Sequence, residues 1–108
     1  MSKMLKFVDL KRETPEKFGS ESRKENFLEI YKEFIDTKAK EQASRCSQCG
    51  TPFCQVHCPL QNNIPDWLKL TAEGRLKEAY ELSQSTNNMP EVCGRICPQD
   101  RLCEGNCV

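Results

Sequence analysis

Apolar side chains in this chain recur at helical spacing, and no run alternates as a strand would. Over residues 22–44, Phe27, Ile30, Tyr31, Phe34 and Ile35 return every three or four positions. That period predicts a helix, with Ser22 as N-cap and Glu25 completing a capping box three residues later. The opposite face carries Lys24, Glu29, Lys32, Glu33, Lys38 and Glu41, an ordinary solvated pattern. The aromatic stripe therefore reads as a packing face. Ile64-Pro65-Asp66-Trp67 opens a second helix, with Pro65 in its first turn, and Gly74 ends it. Residues 75–83 form a third, burying Leu76, Ala79 and Tyr80, with Leu82 a further candidate. Residues 86–90 lead into a short fourth helix carrying Cys93 and Cys97. Residues 1–22 are polar and interrupted by Pro15 and Gly19-Ser20. They are expected to be an extended arm, lying on a partner or loosely held. The predicted fold is all-α: a small helical domain over 23–108 behind an arm over 1–22.

Composition makes this fold look under-supported. Of 108 residues, 30% are charged and 7% aromatic, and the mean hydropathy is -0.70. A core drawn from such a chain is thin, and small domains of this kind need a staple such as a metal or disulfides. The formal net charge is zero, so nothing points to nucleic acid or an anionic membrane. No apolar run approaches membrane-spanning length. The opening residues have neither an apolar core segment nor a small-residue cleavage site, so they do not read as a secretory signal. A cytoplasmic setting is expected, where thiols stay reduced.

The staple is written in the cysteines. There are eight, none before Cys46. They fall into two runs, Cys46-x2-Cys49-x4-Cys54-x3-Cys58-Pro59 and Cys93-x3-Cys97-Pro98-x4-Cys103-x3-Cys107. Two runs of four thiols suit two [4Fe-4S] clusters, because short spacers let a loop wrap one compact object. The first run, with Gly50, Pro52 and Pro59, is predicted to be a loop. Gly50, Gly94 and Gly105 would let backbone approach sulfide. Phe53, Val56, Ile96 and Leu102 are candidates to shield a cluster from water. In two-cluster ferredoxins the Cys before Pro ligates the other cluster, and Cys58-Pro59 has that form. Two bound clusters would add about two negative charges each and make the loaded protein acidic.

Zinc and disulfides compete with this reading. Structural zinc favours paired short spacings, often with His. Only Cys46-x2-Cys49 has that form, and the sole histidine, His57, reads as a surface residue. Eight cysteines allow on the order of a hundred disulfide pairings, which a chain without an export signal makes less favourable still. No strand–helix context supports a thioredoxin-like pair, and no glycine-rich phosphate loop is present.

The motifs resemble a known family. Arg45-Cys46-x2-Cys49-Gly50-x-Pro52-Phe53-Cys54-x3-Cys58-Pro59-Leu60-x-Asn62-Asn63-Ile64-Pro65-Asp66-Trp67 is similar to the N-terminal domain of small subunits of NADPH-dependent glutamate synthases. So are Thr86-Asn87-Asn88-x-Pro90-Glu91, Gly94-Arg95-Ile96-Cys97-Pro98 and Cys103-Glu104-Gly105-Asn106-Cys107-Val108. The same domain type begins dihydropyrimidine dehydrogenase and flavin-linked bifurcating oxidoreductases. The resemblance covers about residues 23–108 and implies a helical ferredoxin-like domain with two [4Fe-4S] clusters and no catalytic residue. It implies ligation that crosses between the runs: Cys46, Cys49, Cys54 and Cys107 on one cluster, Cys58, Cys97 and Cys103 on the other. The last ligand would be an acidic or amide side chain beyond Val108, with Cys93 a substitute. FAD and NADPH would bind other domains, whether on a continuation of the chain or on a separate one. Electrons would pass from that flavin module through the clusters to the glutamate synthase large subunit, which makes glutamate from glutamine and 2-oxoglutarate.

Overall fold

The computed structural model describes residues 4–108. Six helices follow one another: α1 Ser20–Lys24, α2 Asp36–Ala43, α3 Phe53–His57, α4 Ile64–Ala72, α5 Leu76–Gln84 and α6 Pro90–Ile96. Short 3-10 turns stand at Lys6–Val8 and Glu104–Asn106. Among the described residues the only β pairing is an isolated bridge between Lys17 and Tyr31, so the fold is all-α, as predicted.

Helix α4 sits between α2 and α5. Its start has Pro in the first turn, where a missing N–H costs nothing. Its end is a Schellman turn at Gly74 (φ 80°): the Gly74 N–H donates to Thr71 O at 3.0 Å and the Arg75 N–H to Leu70 O at 2.9 Å. Among the described residues the buried apolar ones are Ala43, Ala72 and Ala79, one from each of the three packed helices, and Pro65 in the first turn of α4. Among the described residues no large side chain is fully buried. The expected thin core is what the helices build. Of the α5 residues expected to be buried, Ala79 is, but Leu76 and Tyr80 are exposed. Helices α2 and α5 both pack on α4 through small side chains, leaving the larger ones outside.

The long helix expected over 22–44 does not form. Only 20–24 and 36–43 are helical, and Phe27 is 106% exposed. Side-chain oxygens capture the amides a helix would need: Asn26 Oδ1 accepts from Leu28 N–H at 3.0 Å, and Glu29 Oε1 from Tyr31 N–H at 3.2 Å. The backbone pairs instead with residues 16–18, through Phe18 N–H to Ile30 O at 2.9 Å and Lys32 N–H to Glu16 O at 2.7 Å. A helical period without an apolar surface to cover it does not hold a helix. The cysteine loop over 46–59 also departs from expectation, since α3 lies inside it. The Pro52 carbonyl accepts from both Gln55 and Val56 N–H at 3.0 Å, and that nucleates the turn.

The arm, described from Met4 onward, lies on the chain's own domain. The Leu5 N–H donates to Cys46 O at 2.8 Å, and Lys6 N–H to Ser44 O at 2.9 Å. Arg45 Nε donates to Leu10 O at 2.9 Å, Gln42 Nε2 to Lys11 O at 3.1 Å, and Arg12 pairs with Glu104 at 2.7 Å. The arm thus crosses α2 and the start of the first cysteine run and reaches the second.

Candidate metal centre

The two cysteine runs meet in space. A cavity of about 370 Å³ is lined by Cys46, Cys49 and Cys54 of the first run and by Cys103 and Cys107 of the second. Phe7, Phe53, Ile64, Pro65 and Leu68 give it an apolar wall. Cys46 and Cys49 are placed by the turn leaving α2, Cys54 by α3, and Cys107 by the 3-10 turn at Glu104–Asn106. That turn packs on α3. A Cβ on Gly105 would collide with the Asp100 carbonyl, so the fold-back that delivers Cys107 requires glycine there. At Gly50 and Gly94 a Cβ meets nothing within 4 Å; those two glycines face open space.

Charge reports the same grouping. Burial pushes the Cys54 thiol up; the Gln55 N–H opposes this, while Cys46, Cys107 and Cys103 add like-charge repulsion. Burial also pushes the Cys103 thiol up, with Glu104 N–H opposing, and its cysteine neighbours are Cys97 and Cys58. Cys103 therefore stands between the first cavity and a second grouping with Cys58 and Cys97. Cys93, near the middle of α6, accepts a hydrogen bond from Asn87 Nδ2 at 3.1 Å. All eight cysteines are unbridged.

The donor set fits an extended cluster. A single zinc ion, with bonds of about 2.3 Å, draws its sulfurs to within about 4 Å of one another. Among the described residues no three Cys, His, Asp or Glu converge tightly enough to hold one ion. A cubane instead spreads its thiolates around a body, and five of these cysteines line one cavity. His57 is exposed on α3. Of the expected shields, Phe53 lines the cavity and Leu102 is half-buried, but Val56 and Ile96 are exposed. Helices α3 and α6 turn those two side chains outward.

Two residues went unnoticed in the sequence. Phe7 reaches the cavity from the arm, a contact across about forty residues that no local pattern signals. Gln48, between Cys46 and Cys49, donates to Cys46 Sγ from its backbone N–H at 3.4 Å and its Nε2 at 3.3 Å. Its place inside a Cys-x2-Cys spacing was the available hint.

Comparison with known proteins decides the family. Residues 23–108 match the profile described as dihydropyrimidine dehydrogenase domain II, 4Fe-4S cluster. The chain belongs to this iron–sulfur domain family. It is also similar to small chains of NADPH glutamate synthase: 68% identical over 106 residues to that of Azospirillum brasilense, 57% over 102 to that of Escherichia coli, and 52% over 102 to that of Halomonas elongata. These matches cover 98%, 94% and 94% of this chain but 22% of each relative. The chain thus spans about a fifth of the length of these relatives. The first match takes in nearly all of the arm that lies outside the family profile.

Proposed function

We propose that this chain is the electron-conducting segment of the small subunit of an NADPH-dependent glutamate synthase, holding two [4Fe-4S] clusters. Cys46, Cys49, Cys54 and Cys107 hold one. Cys58, Cys97 and Cys103 hold the other, completed by an acidic or amide side chain from outside this sequence, with Cys93 a substitute. Residues 23–108 are the cluster domain and residues 1–22 an arm whose described part lies against it from Leu5 to Arg12. The observation carrying this reading is the position of Cys107 on the cavity of Cys46, Cys49 and Cys54, as crossed ligation demands. Bound clusters of this type supply one-electron steps at potentials set by their surroundings. The protein's own part is to ligate, to exclude water with Phe7, Phe53 and Leu68, and to aim N–H groups at sulfur. The working partners are an FAD- and NADPH-binding module and the glutamate synthase large subunit, in the cytoplasm.

The same domain in a dihydropyrimidine dehydrogenase is a second reading, supported by the description of the family profile. The glutamate synthase relatives, at 68% and 57% identity, weigh for the first. Purification without oxygen tests the cluster content: about eight iron and eight acid-labile sulfide per chain are expected, with a brown colour. A colourless zinc protein would overturn the proposal. Reduction of the loaded chain by a glutamate synthase flavin module, and not by a dihydropyrimidine dehydrogenase one, separates the two parent enzymes.

A further inference from the structure

Gln48 holds a strained backbone at φ 53°, a region that side chains other than Gly and Asn rarely enter. Three hydrogen bonds come with that conformation. The backbone N–H turns to Cys46 Sγ at 3.4 Å, and the side chain folds back so that Nε2 lies 3.3 Å from the same sulfur and 2.7 Å from the Pro65 carbonyl. The Pro65 oxygen can only accept, so it fixes which end of the amide faces it. With one amide hydrogen on that carbonyl, the other is aimed at sulfur. Pro65 is itself buried in the first turn of α4, so the anchor belongs to the most tightly packed part of the fold. The Cys46 sulfur thus receives two N–H dipoles from one residue, one of them braced by α4.

We infer that Gln48 is a positioning residue that raises the reduction potential of the cluster bound through Cys46, by directing two N–H groups at that sulfur. The inference rests on the reading that Cys46 ligates a [4Fe-4S] cluster. Reduction adds one electron, and part of the added charge falls on the thiolate sulfurs. Donors aimed at those sulfurs stabilise the reduced form more than the oxidised one, and hydrogen bonds to sulfur are a recognised determinant of cluster potential. Gln48→Met keeps the length and removes the side-chain donor. Gln48→Glu keeps the shape, removes the donor and places a negative charge beside the cluster. Both lower the potential, Glu further than Met.

The experiment is an anoxic dithionite titration of the iron-loaded full chain, read by electron paramagnetic resonance, with iron and acid-labile sulfide counted on each sample. Gln55→Ala is the control: its side chain bonds Asn63 Oδ1 at 3.1 Å and touches no sulfur. For Gln48→Met the expected result is a fall of about tenfold in the reduced-to-oxidised ratio of one cluster at fixed potential. That ratio corresponds to about 59 mV for a one-electron couple. The other cluster and the Gln55→Ala chain stay unshifted. If Gln48→Met loads iron poorly, Gln48→Ala, which leaves the backbone N–H and α4 in place, carries the same test. Full iron and sulfide with unchanged potentials, or a shift confined to the Cys58 cluster, overturns the role of Gln48. A wild-type chain that binds no iron or sulfide overturns the cluster reading instead.

Discussion

Cys107 and Cys54 line the same cavity, near enough that charge on Cys107 helps hold the Cys54 thiol above its ordinary value. They come from different cysteine runs, so a ligand lost at one end of the sequence should damage a site built at the other. We expect Cys107→Ser to abolish the resonance of the Cys46/Cys49/Cys54 cluster and remove about half the iron, while Cys93→Ser leaves that resonance intact. Spin quantitation of the reduced variants checks this. Loss of the Cys58 cluster in place of the first-run cluster would show that each run binds its own.

Removing the clusters should cost most of the tertiary structure. Among the described residues the buried apolar ones are three alanines and Pro65, too few to offset the backbone entropy of about a hundred residues. Iron-free chain is expected to keep some helical circular dichroism but lose amide dispersion over residues 46–107. Sharp, dispersed spectra from a chelated sample would contradict it.

Gly105 and Gly50 should respond oppositely to the same substitution. Gly105→Ala drives a methyl into the Asp100 carbonyl, whereas Gly50→Ala meets open space. Overpacking of this kind costs roughly 1–3 kcal/mol or more. Iron retention under urea should fall sharply for the first and little for the second. Equal behaviour would mean that the Glu104–Asn106 turn does not need the close approach.

The arm should protect the cavity. Phe7 lines it and is half in solvent, while Phe27 is fully exposed. Phe7→Ser is expected to speed cluster bleaching in air several-fold, and Phe27→Ser to leave both bleaching and stability within about 0.5 kcal/mol of the parent. The decay of visible absorbance after admission of oxygen measures both. Equal bleaching of parent and Phe7→Ser would remove the arm from any shielding role.

Cluster loading should improve as pH rises. Burial raises the Cys54 and Cys103 thiols. On linkage, a raised thiol favours the folded iron-free chain below its unfolded value, and that contribution is lost as pH climbs through the folded one. Iron binding carries the opposite sign, because the metal takes the thiolate and releases the proton. Sulfide incorporated at a fixed time should therefore increase from about pH 7 to about pH 9, and Cys93→Ser should show the same profile. A flat profile would mean that protons do not compete for these ligands.

By itself the sequence determined the cysteine chemistry and the bounds of α4 and α5, but not those of α1, α2 or α3. Thiol number and spacing are local facts, as are Pro65 at a helix start and Gly74 in a Schellman turn, so Ile64–Ala72 and Leu76–Gln84 were legible to within a residue or so. The stripe from Phe27 to Ile35 carried an equally regular period and formed no helix, because amphipathic helices depend on a surface to cover and this one has none. Only the tertiary structure brought Cys107 to the cavity of the first run, set Phe7 against it, and turned Gln48 so that two of its N–H groups face one sulfur. Those relations join residues far apart in the chain, or depend on a strained dihedral that a carbonyl on another helix holds in place. Neither kind of constraint leaves a mark in local spacing.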